Sequence, residues 1–252
     1  MHLYEKPFYH FSIDDTIESL IDVSDSSNDF FSNQFFKFLD MIHKKYNTNI
    51  DLYCFYQKSI RNKLRTLNDV SDKHKEIFIN NPWLRFGPHA LDSEFAPYAQ
   101  TPEQQMRTFD SIYKEIERFS GNPSKCEFIR LHFFSESYEL AGYFQTKNVH
   151  SLLTTDKSAI TYRLNDTVKL ELDSNGHSKF NGLGFVRSHF RVETLIDKNL
   201  SNMEISDLIK SHLVKHGFVT FLTHEYELVR PEIQKLTEFI LSYLKEHKVR
   251  SI

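Results

Sequence analysis

The chain has 252 residues, of which 40% are hydrophobic and 26% are charged, and its formal net charge is −3. This composition is typical of a soluble globular protein, and it excludes the strongly basic surface that nucleic-acid binding needs. No run reaches the ~18 apolar residues of a membrane span, and the amino terminus does not resemble a signal peptide. We therefore expect a cytoplasmic protein with a single domain spanning 1–252 and no nucleic-acid partner. The composition leaves the oligomeric state open.

Strand-like and helix-like segments alternate along the chain. Runs rich in β-branched and aromatic residues predict strands at 8–13, 50–56, 84–87, 126–133, 151–154, 183–189 and 217–223. Apolar residues at three- and four-residue spacing predict helices at 33–46, at 102–119 and from Pro231 onward. The clearest break is a predicted turn at 172–178, with Asn175-Gly176 at its centre. Both cysteines, Cys54 and Cys126, fall in strand-like runs and are predicted to be reduced core residues.

The helix at 102–119 has the clearest end signals. Thr101 can cap it, Pro102 suits the first helical position, and Gln104 completes a capping box, while Gly121 ends the segment. Its predicted buried stripe is Met106, Phe109, Ile112, Tyr113 and Ile116. The predicted buried stripe of the last helix is Leu236, Phe239, Ile240, Tyr243 and Leu244.

Alternation of about seven strands with helices predicts βα units and a largely parallel sheet. At this length, a closed or nearly closed α/β barrel is the preferred architecture. A doubly wound open sheet is the alternative.

Titratable side chains stand at the ends of several predicted strands. They are Asp14 and Asp15, His89, Arg130 and His132, Asp156, and His224 and Glu225. In parallel α/β folds the carboxyl ends of the strands carry the functional residues. We therefore expect these groups to meet at one rim.

This mixture of groups suits metal-assisted hydrolysis. A carboxylate and two imidazoles form a common catalytic zinc set, with one position left for water. A second carboxylate can then act as general base and another histidine as general acid. One of the paired aspartates would then bind the cation, and the other would accept the proton.

Each residue also has a structural interpretation. Asp14 and Asp15 are equally suited to capping a helix that starts just after them. His132 shares one face of its predicted strand with Arg130 and Phe134, where it is either a ligand or a hydrogen-bonded core residue.

Two further sites have structural alternatives. Arg187, Arg191 and Glu193 alternate along the sixth strand and can form an ordinary ion pair. His89 follows Gly-Pro and can be a turn residue.

Six segments, taken in order, resemble the polysaccharide deacetylase family with NodB homology. They are Phe11–Asp15, Trp83–Leu91, Arg130–Phe133, Leu152–Asp156, Phe185–Glu193 and Phe221–Glu225. The similarity spans nearly the whole chain and is strongest to a divergent branch associated with surface-polysaccharide, O-antigen-type gene clusters. The resemblance implies a distorted (β/α)7-type barrel, a divalent metal such as Zn²⁺, and removal of an N- or O-acetyl group from a sugar.

The resemblance also implies roles for individual residues. Asp14 would be the base, Asp15 and His89 metal ligands, His224 the acid, and Arg130 the group that orients the base. The family usually has a second histidine four residues after the first, but Ser93 stands there in this chain. We therefore choose His132 as the third ligand, with Glu94 or Asp92 as alternatives. The residues assigned to substrate binding are Asp156, Arg187, Arg191, Trp83 and Glu225.

The preferred function is a metal-dependent deacetylase that acts on an acetylated sugar or on a nucleotide- or lipid-linked glycan precursor. One alternative is a non-catalytic carbohydrate-binding barrel that has lost part of the metal site. Another is an unrelated metal hydrolase or phosphatase built around Asp14 and Asp15. It is disfavoured because adjacent residues of a regular strand point to opposite faces.

Overall fold

The computed structural model of the chain describes residues 6–157 and 163–252. The strands in these ranges are β1 (Phe8–Thr16), β2 (Ile50–Phe55), β3 (Gln57–Ile60), β4 (Lys63–Thr66), β5 (Leu84–Ala90), β6 (Phe128–Ile129), β7 (Ser151–Thr154), β8 (His177–Phe180), β9 (Leu183–Arg187), β10 (Phe190–Arg191), β11 (Phe218–His224) and β12 (Arg250–Ser251). The α-helices are α1 (Glu18–Asp25), α2 (Gln34–Tyr46), α3 (Lys75–Asn80), α4 (Pro102–Phe119), α5 (Ala141–Thr146), α6 (Asp166–Asn175), α7 (Val192–Asp197), α8 (Asn202–His216) and α9 (Pro231–Glu246).

The strands form a distorted barrel. One parallel sheet has the order β10-β11-β1-β2-β5, with β12 beside β1, and a second sheet has the order β6-β7-β9-β8. The sheets meet where the backbone N–H of Cys126 donates to the carbonyl of Phe86 at 2.9 Å. On the other side β9 leads into β10, where the N–H of His189 donates to the carbonyl of Thr220 at 2.9 Å. Without the antiparallel β8, and with β9 and β10 counted as one position, the wall has seven strand positions. This confirms the α/β barrel and not the open sheet.

β1 is the central strand of the larger sheet and organises the core. All nine of its residues are buried, and it pairs in parallel with β11 on one side and β2 on the other. Phe11 and Ile13 are fully buried within one continuous hydrophobic cluster. Cys54 and Cys126 are buried and free, as predicted.

The helix predicted at 102–119 is confirmed with the same bounds. The Thr101 hydroxyl accepts the N–H of Gln104 at 3.3 Å, and the Gln104 side chain accepts the N–H of Thr101 at 2.9 Å. Its predicted stripe is buried except for Met106, which is half-buried.

For α9 the predicted buried stripe is partly wrong, because Leu236, Phe239 and Tyr243 lie at the edge of the core. The residues that α9 buries are Ile233, Thr237, Ile240, Leu241 and Leu244.

Two backbone predictions are wrong. The strand predicted at 126–133 is only the two residues of β6, and a 3₁₀ turn over His132–Phe134 follows. Phe133 and Phe134 have positive φ angles of 52° and 50°, so the side chains of Arg130, His132 and Phe134 do not share a strand face. The turn predicted at 172–178 is instead the end of α6.

Gly176 supplies the stop signal of α6. It adopts the left-handed conformation with φ 75°, and its N–H bonds to the carbonyl of Leu172. A glycine at this position is favoured because it carries no Cβ. None of the helices in the described part of the chain is long and apolar enough to cross a membrane.

Candidate metal centre and active site

The carboxyl ends of the parallel strands meet at one edge of the barrel, and most of the predicted site residues lie there. The residues at this edge are Asp14 and Asp15 from β1, His89 from β5, Arg130 and His132 after β6, and His224 from β11. Parallel strands bring these groups together because all their carboxyl ends point the same way.

A bulge at the end of β1 brings two adjacent carboxylates to this edge. The register of β1 against β2 shifts between Ile13 and Thr16, and Asp15 has a positive φ of 63°. Aspartate tolerates this conformation better than most residues, and bulges of this kind re-aim side chains. The rule that adjacent strand residues point to opposite faces, which was used against a phosphatase built around Asp14 and Asp15, therefore does not hold at this bulge.

Neither aspartate caps the following helix, so that alternative is wrong. The cap is Glu225, whose carboxylate accepts the N–H groups of Ile17, Glu18 and Ser19 at 3.1, 3.0 and 2.8 Å. Both of its oxygens face the amino terminus of α1, where a negative charge is favourable. Glu225 is buried and serves α1, and its substrate-binding role stays a prediction.

Asp15, His89 and His132 bring three potential ligand atoms together. The Oδ1 atom of Asp15 lies 3.2 Å from Nε2 of His89 and 3.8 Å from Nδ1 of His132. The two histidine nitrogens are 3.2 Å apart. All three atoms lie within 4.8 Å of one another, as a common metal ion requires.

The hydrogen bonds of the two rings show which nitrogens carry protons. Nδ1 of His89 lies 2.7 Å from the carbonyl oxygen of Arg130, and Nε2 of His132 lies 3.3 Å from that of Ser93. Because a carbonyl only accepts, each of these outer nitrogens donates its proton. In the neutral form of each ring, the inner nitrogen therefore presents a lone pair to the other ring and to Asp15. Metal-binding histidines are held in this way.

The neighbourhood of these three atoms favours a cation. Oδ1 of Asp15 is buried and has no hydrogen-bond partner among the described residues. Burial and the neighbouring His89 lower the pKa of His132 to about 4, so its ring is neutral. Facing lone pairs repel unless a proton or a metal ion lies between them. The donor set of one carboxylate and two imidazoles fits a zinc-type ion.

The alternative third ligands lie elsewhere. Asp92 accepts the N–H groups of Glu94 and Phe95 and the side chain of Gln57, so it fixes its own loop. Glu94 is exposed. Ser93, which stands where the resemblance places a second histidine, contributes its carbonyl to the orientation of His132.

Arg130 holds Asp14 beside these three atoms. Nη1 of Arg130 donates to Oδ1 of Asp14 at 3.0 Å and to the hydroxyl of Ser12 at 2.6 Å, while Nη2 donates to the hydroxyl of Ser188 at 3.1 Å. Arg130 is only 1% exposed, so its charge is almost wholly paired with this carboxylate. Ser12 and Ser188 were not predicted, since neither belongs to a strand-end titratable group.

His224 has an unpredicted partner in Glu193. Its Nδ1 lies 2.7 Å from Oε1 of Glu193. Burial lowers the pKa of His224, but the hydrogen bond to Glu193 and the charges of Asp14 and Asp15 outweigh it and raise the pKa to about 9. His224 is therefore a cation at neutral pH. The structural alternative required an ion pair between Glu193 and an arginine of the sixth strand, but Glu193 pairs with His224 and Arg191 pairs with Asp156.

The remaining predicted substrate-binding residues divide between two places. Arg191 donates through Nε to Oδ2 of Asp156 at 2.9 Å, and Arg187 donates to the carbonyl of Lys157 at 2.6 Å. These three side chains lie near the carboxyl ends of β7 and β9. Trp83 lies before the first residue of β5, six residues before His89, or about 20 Å along the strand. Its ring stacks on His43, so Trp83 does not lie with the other predicted site residues.

Several solved structures have the same fold. The chain is similar to the Bc1960 peptidoglycan N-acetylglucosamine deacetylase, with 14% identity and a TM-score of 0.55 over 99% of this chain and 86% of that one. It is also similar to BA3943, a CE4 family pseudoenzyme from Bacillus anthracis, with 10% identity and a TM-score of 0.56, covering 98% of this chain and 63% of that one. A 4-alpha-glucanotransferase from Thermococcus litoralis matches with 8% identity and a TM-score of 0.54, covering 98% and 39%.

These comparisons define the class of fold. The chain has the distorted (β/α)7 barrel of polysaccharide deacetylases, as the resemblance of its motifs implied. No family model and no curated protein matches the sequence. At such low identities the likeness shows the fold, and the activity has to be argued from the site itself.

Proposed function

We propose that this chain is a metal-dependent hydrolase that removes an acetyl group from a sugar. The observation that carries the proposal is the set of three converging ligand atoms on Asp15, His89 and His132, flanked by Asp14 and His224. A carboxylate held by an arginine and a protonated histidine, both beside a cation site, provide a base and an acid in one place.

Asp15, His89 and His132 would hold the ion, which we propose to be Zn²⁺. A bound divalent ion polarises an acyl carbonyl and lowers the pKa of a water molecule. Asp14, oriented by Arg130, would accept the proton of the attacking water. His224, kept protonated by Glu193, would donate its proton to the leaving amine nitrogen as the C–N bond breaks. Water is consumed, and acetate and an amino sugar are released.

The substrate class follows from the same chemistry. We propose an acetylated sugar, or a nucleotide- or lipid-linked precursor used in surface glycan biosynthesis inside the cell. Arg191 and Asp156, at the same edge of the barrel, remain candidates for contact with the substrate.

Acetate release tests the proposal directly. The zinc-loaded chain is incubated with N-acetylated oligosaccharides and with a nucleotide-linked N-acetylhexosamine, and acetate is measured by proton NMR. Acetate that appears with the wild type and not with Asp14→Asn supports the proposal. Sugar binding without acetate release, unaffected by a chelator, would favour a non-catalytic carbohydrate-binding barrel.

A further inference from the structure

A second cluster of histidines lies beside helix α8 and includes none of the three proposed metal ligands. A cavity of about 240 Å³ opens between the β9–β10 connection and helix α8. His189, His212 and His216 line it, and their nearest ring nitrogens also lie within 4.8 Å of one another. The distances alone would make it a second metal site.

The hydrogen bonds of these rings argue against a metal. The backbone N–H of Thr220 donates to Nδ1 of His189 at 2.9 Å, so the proton of the neutral His189 ring is on Nε2. That Nε2 lies 2.9 Å from Nδ1 of His216 and donates to it. The proton of His216 is then on its own Nε2. Of the three rings, His212 alone keeps a lone pair that these bonds do not use.

The same hydrogen bonds make the cavity rich in donors. The Nε2–H of His216 is buried, and it has no acceptor among the described residues. Nη1 of Arg187 is also buried and unpaired within the described part of the chain. Lys215 lines the cavity and uses one ammonium proton to bond the carbonyl of Asp173 at 2.8 Å. The cavity thus presents two unsatisfied donors and two cationic side chains.

One acceptor balances these donors. Oδ2 of Asp156 pairs with Arg191, but its Oδ1 is buried and receives no hydrogen bond from any described residue. The charge of Asp156 is offset by Arg191, whereas no carboxylate pairs with Arg187 or Lys215 among the described ion pairs. The other carboxylate of the lining, Asp173, is exposed.

We propose that this cavity binds a phosphate-class oxyanion that still carries one proton. Its oxygens accept from Arg187, His216 and Lys215, and its P–O–H group donates to Oδ1 of Asp156. Charge-assisted bonds of this type are among the strong ones in proteins. Sulfate has the same size but carries no proton at neutral pH, so one of its oxygens would face Asp156 with a like charge. The cavity therefore discriminates phosphate from sulfate.

None of the three proposed metal ligands lines this cavity, although Ser188, which accepts from Arg130, and Asp156, a candidate substrate contact, do. Phosphate binding is measured without metal or turnover, so its failure is distinguishable from failure of the deacetylase proposal. It gives Asp156 and Arg187, which the sequence assigns to substrate binding, a defined chemical partner. The phosphate group can belong to the free ion or to a terminal phosphate, such as that of a phosphorylated sugar or of a nucleotide, since each can carry the required proton.

Calorimetric titration of the purified full chain with inorganic phosphate and with sulfate, at constant ionic strength, tests the inference. We expect saturable phosphate binding that is roughly 10-fold or more tighter than sulfate binding. Lys215→Gln and Arg187→Gln should each weaken phosphate binding by about 10-fold, the size expected for a lost charged hydrogen bond. Lys210→Gln, on an exposed turn of the same helix and outside the cavity, is the matched control and should bind phosphate as the wild type does.

Three further measurements locate the ligand and its source. Histidine ring signals of His212 and His216 should shift in proton NMR on phosphate addition. Asp156→Asn should bring the affinities for phosphate and sulfate together. Tighter binding of uridine diphosphate than of phosphate, lost in Arg187→Gln, would identify the terminal phosphate of a nucleotide.

Three results would overturn the inference. They are equal affinity for phosphate and sulfate in the wild type, no saturation at millimolar phosphate, and zinc binding abolished by His212→Gln.

Discussion

The two histidine clusters of this barrel have similar distances and opposite chemistry. In the candidate metal centre, carbonyl groups accept from the outer nitrogens of His89 and His132, which leaves lone pairs facing inward. In the cluster beside α8, a backbone N–H donates to Nδ1 of His189. The Nε2 atom of His189 therefore presents a proton, and not a lone pair, to His216. Close spacing of donor atoms therefore does not by itself make a metal site. The hydrogen-bond partner of the outer ring nitrogen decides whether the inner nitrogen presents a lone pair or a proton to the cluster.

The largest expected effect separates the two clusters by metal affinity. His89→Gln and Asp15→Asn should each weaken zinc binding by at least the ~10–100-fold that loss of an outer hydrogen-bond partner causes. His212→Gln, the matched change in the cluster beside α8, should leave the affinity unchanged. Competition titration against a chromogenic chelator measures all three. Equal losses at both clusters would break the comparison.

The second effect concerns turnover. Asp14→Asn and His224→Ala should each reduce the rate of acetate release by roughly 10²–10⁴-fold, since each removes a proton-transfer group. Neither side chain belongs to the three ligands, so the zinc content should remain that of the wild type. Metal analysis and acetate NMR on the same samples separate the roles. Wild-type turnover in either variant would contradict them.

The third effect is a pKa shift at His224. The pKa of His224 in the folded metal-free chain should be about 9. Glu193→Gln should bring it down towards the ordinary value of ~6.5, because the largest favourable contact of the charged ring is lost. Since the folded pKa is raised, the stabilisation from this pair is complete below pH ~6.5 and is lost as the pH rises through 9.

Titration of the His224 ring signal by NMR measures that shift. The pH above which activity falls, because the general acid loses its proton, should be lower in the Glu193→Gln variant, together with the pKa. An unchanged ring titration in this variant would show that Glu193 does not control the charge of His224.

The smallest effect concerns stability at the same edge. Glu225→Gln removes the charge that caps α1 and should cost about 1–2 kcal/mol, which lowers the melting temperature by a few degrees. Zinc affinity should not change, because both carboxylate oxygens face the helix. A loss of zinc without a loss of stability would instead place Glu225 in the metal site.

Local sequence signals predicted the frame of the molecule well. The capping box of α4 and the apolar run of β1 depend on neighbours in the chain, and both were found where expected. The irregular parts were not predictable in this way. The strand expected to carry His132 stops after two residues, and His132 reaches the centre from a strained turn instead.

The closeness of the three proposed ligands was predicted, but their supporting groups were not. Asp15 and His89 were assigned from the family resemblance, and His132 was chosen because Ser93 stands where a second histidine is usual. Glu193 and Ser12 could not be predicted, since their partners lie 31 and 118 residues away. Such contacts are set by how distant elements pack, which no local pattern records. The bulge that re-aims Asp15 likewise depends on pairing with β2.

The most direct test is a crystal structure of the zinc-loaded chain with anomalous diffraction at the zinc absorption edge. We expect one strong peak within ~2.0–2.2 Å of Oδ1 of Asp15, Nε2 of His89 and Nδ1 of His132. A peak between His212 and His216, or none beside Asp15, would contradict the account.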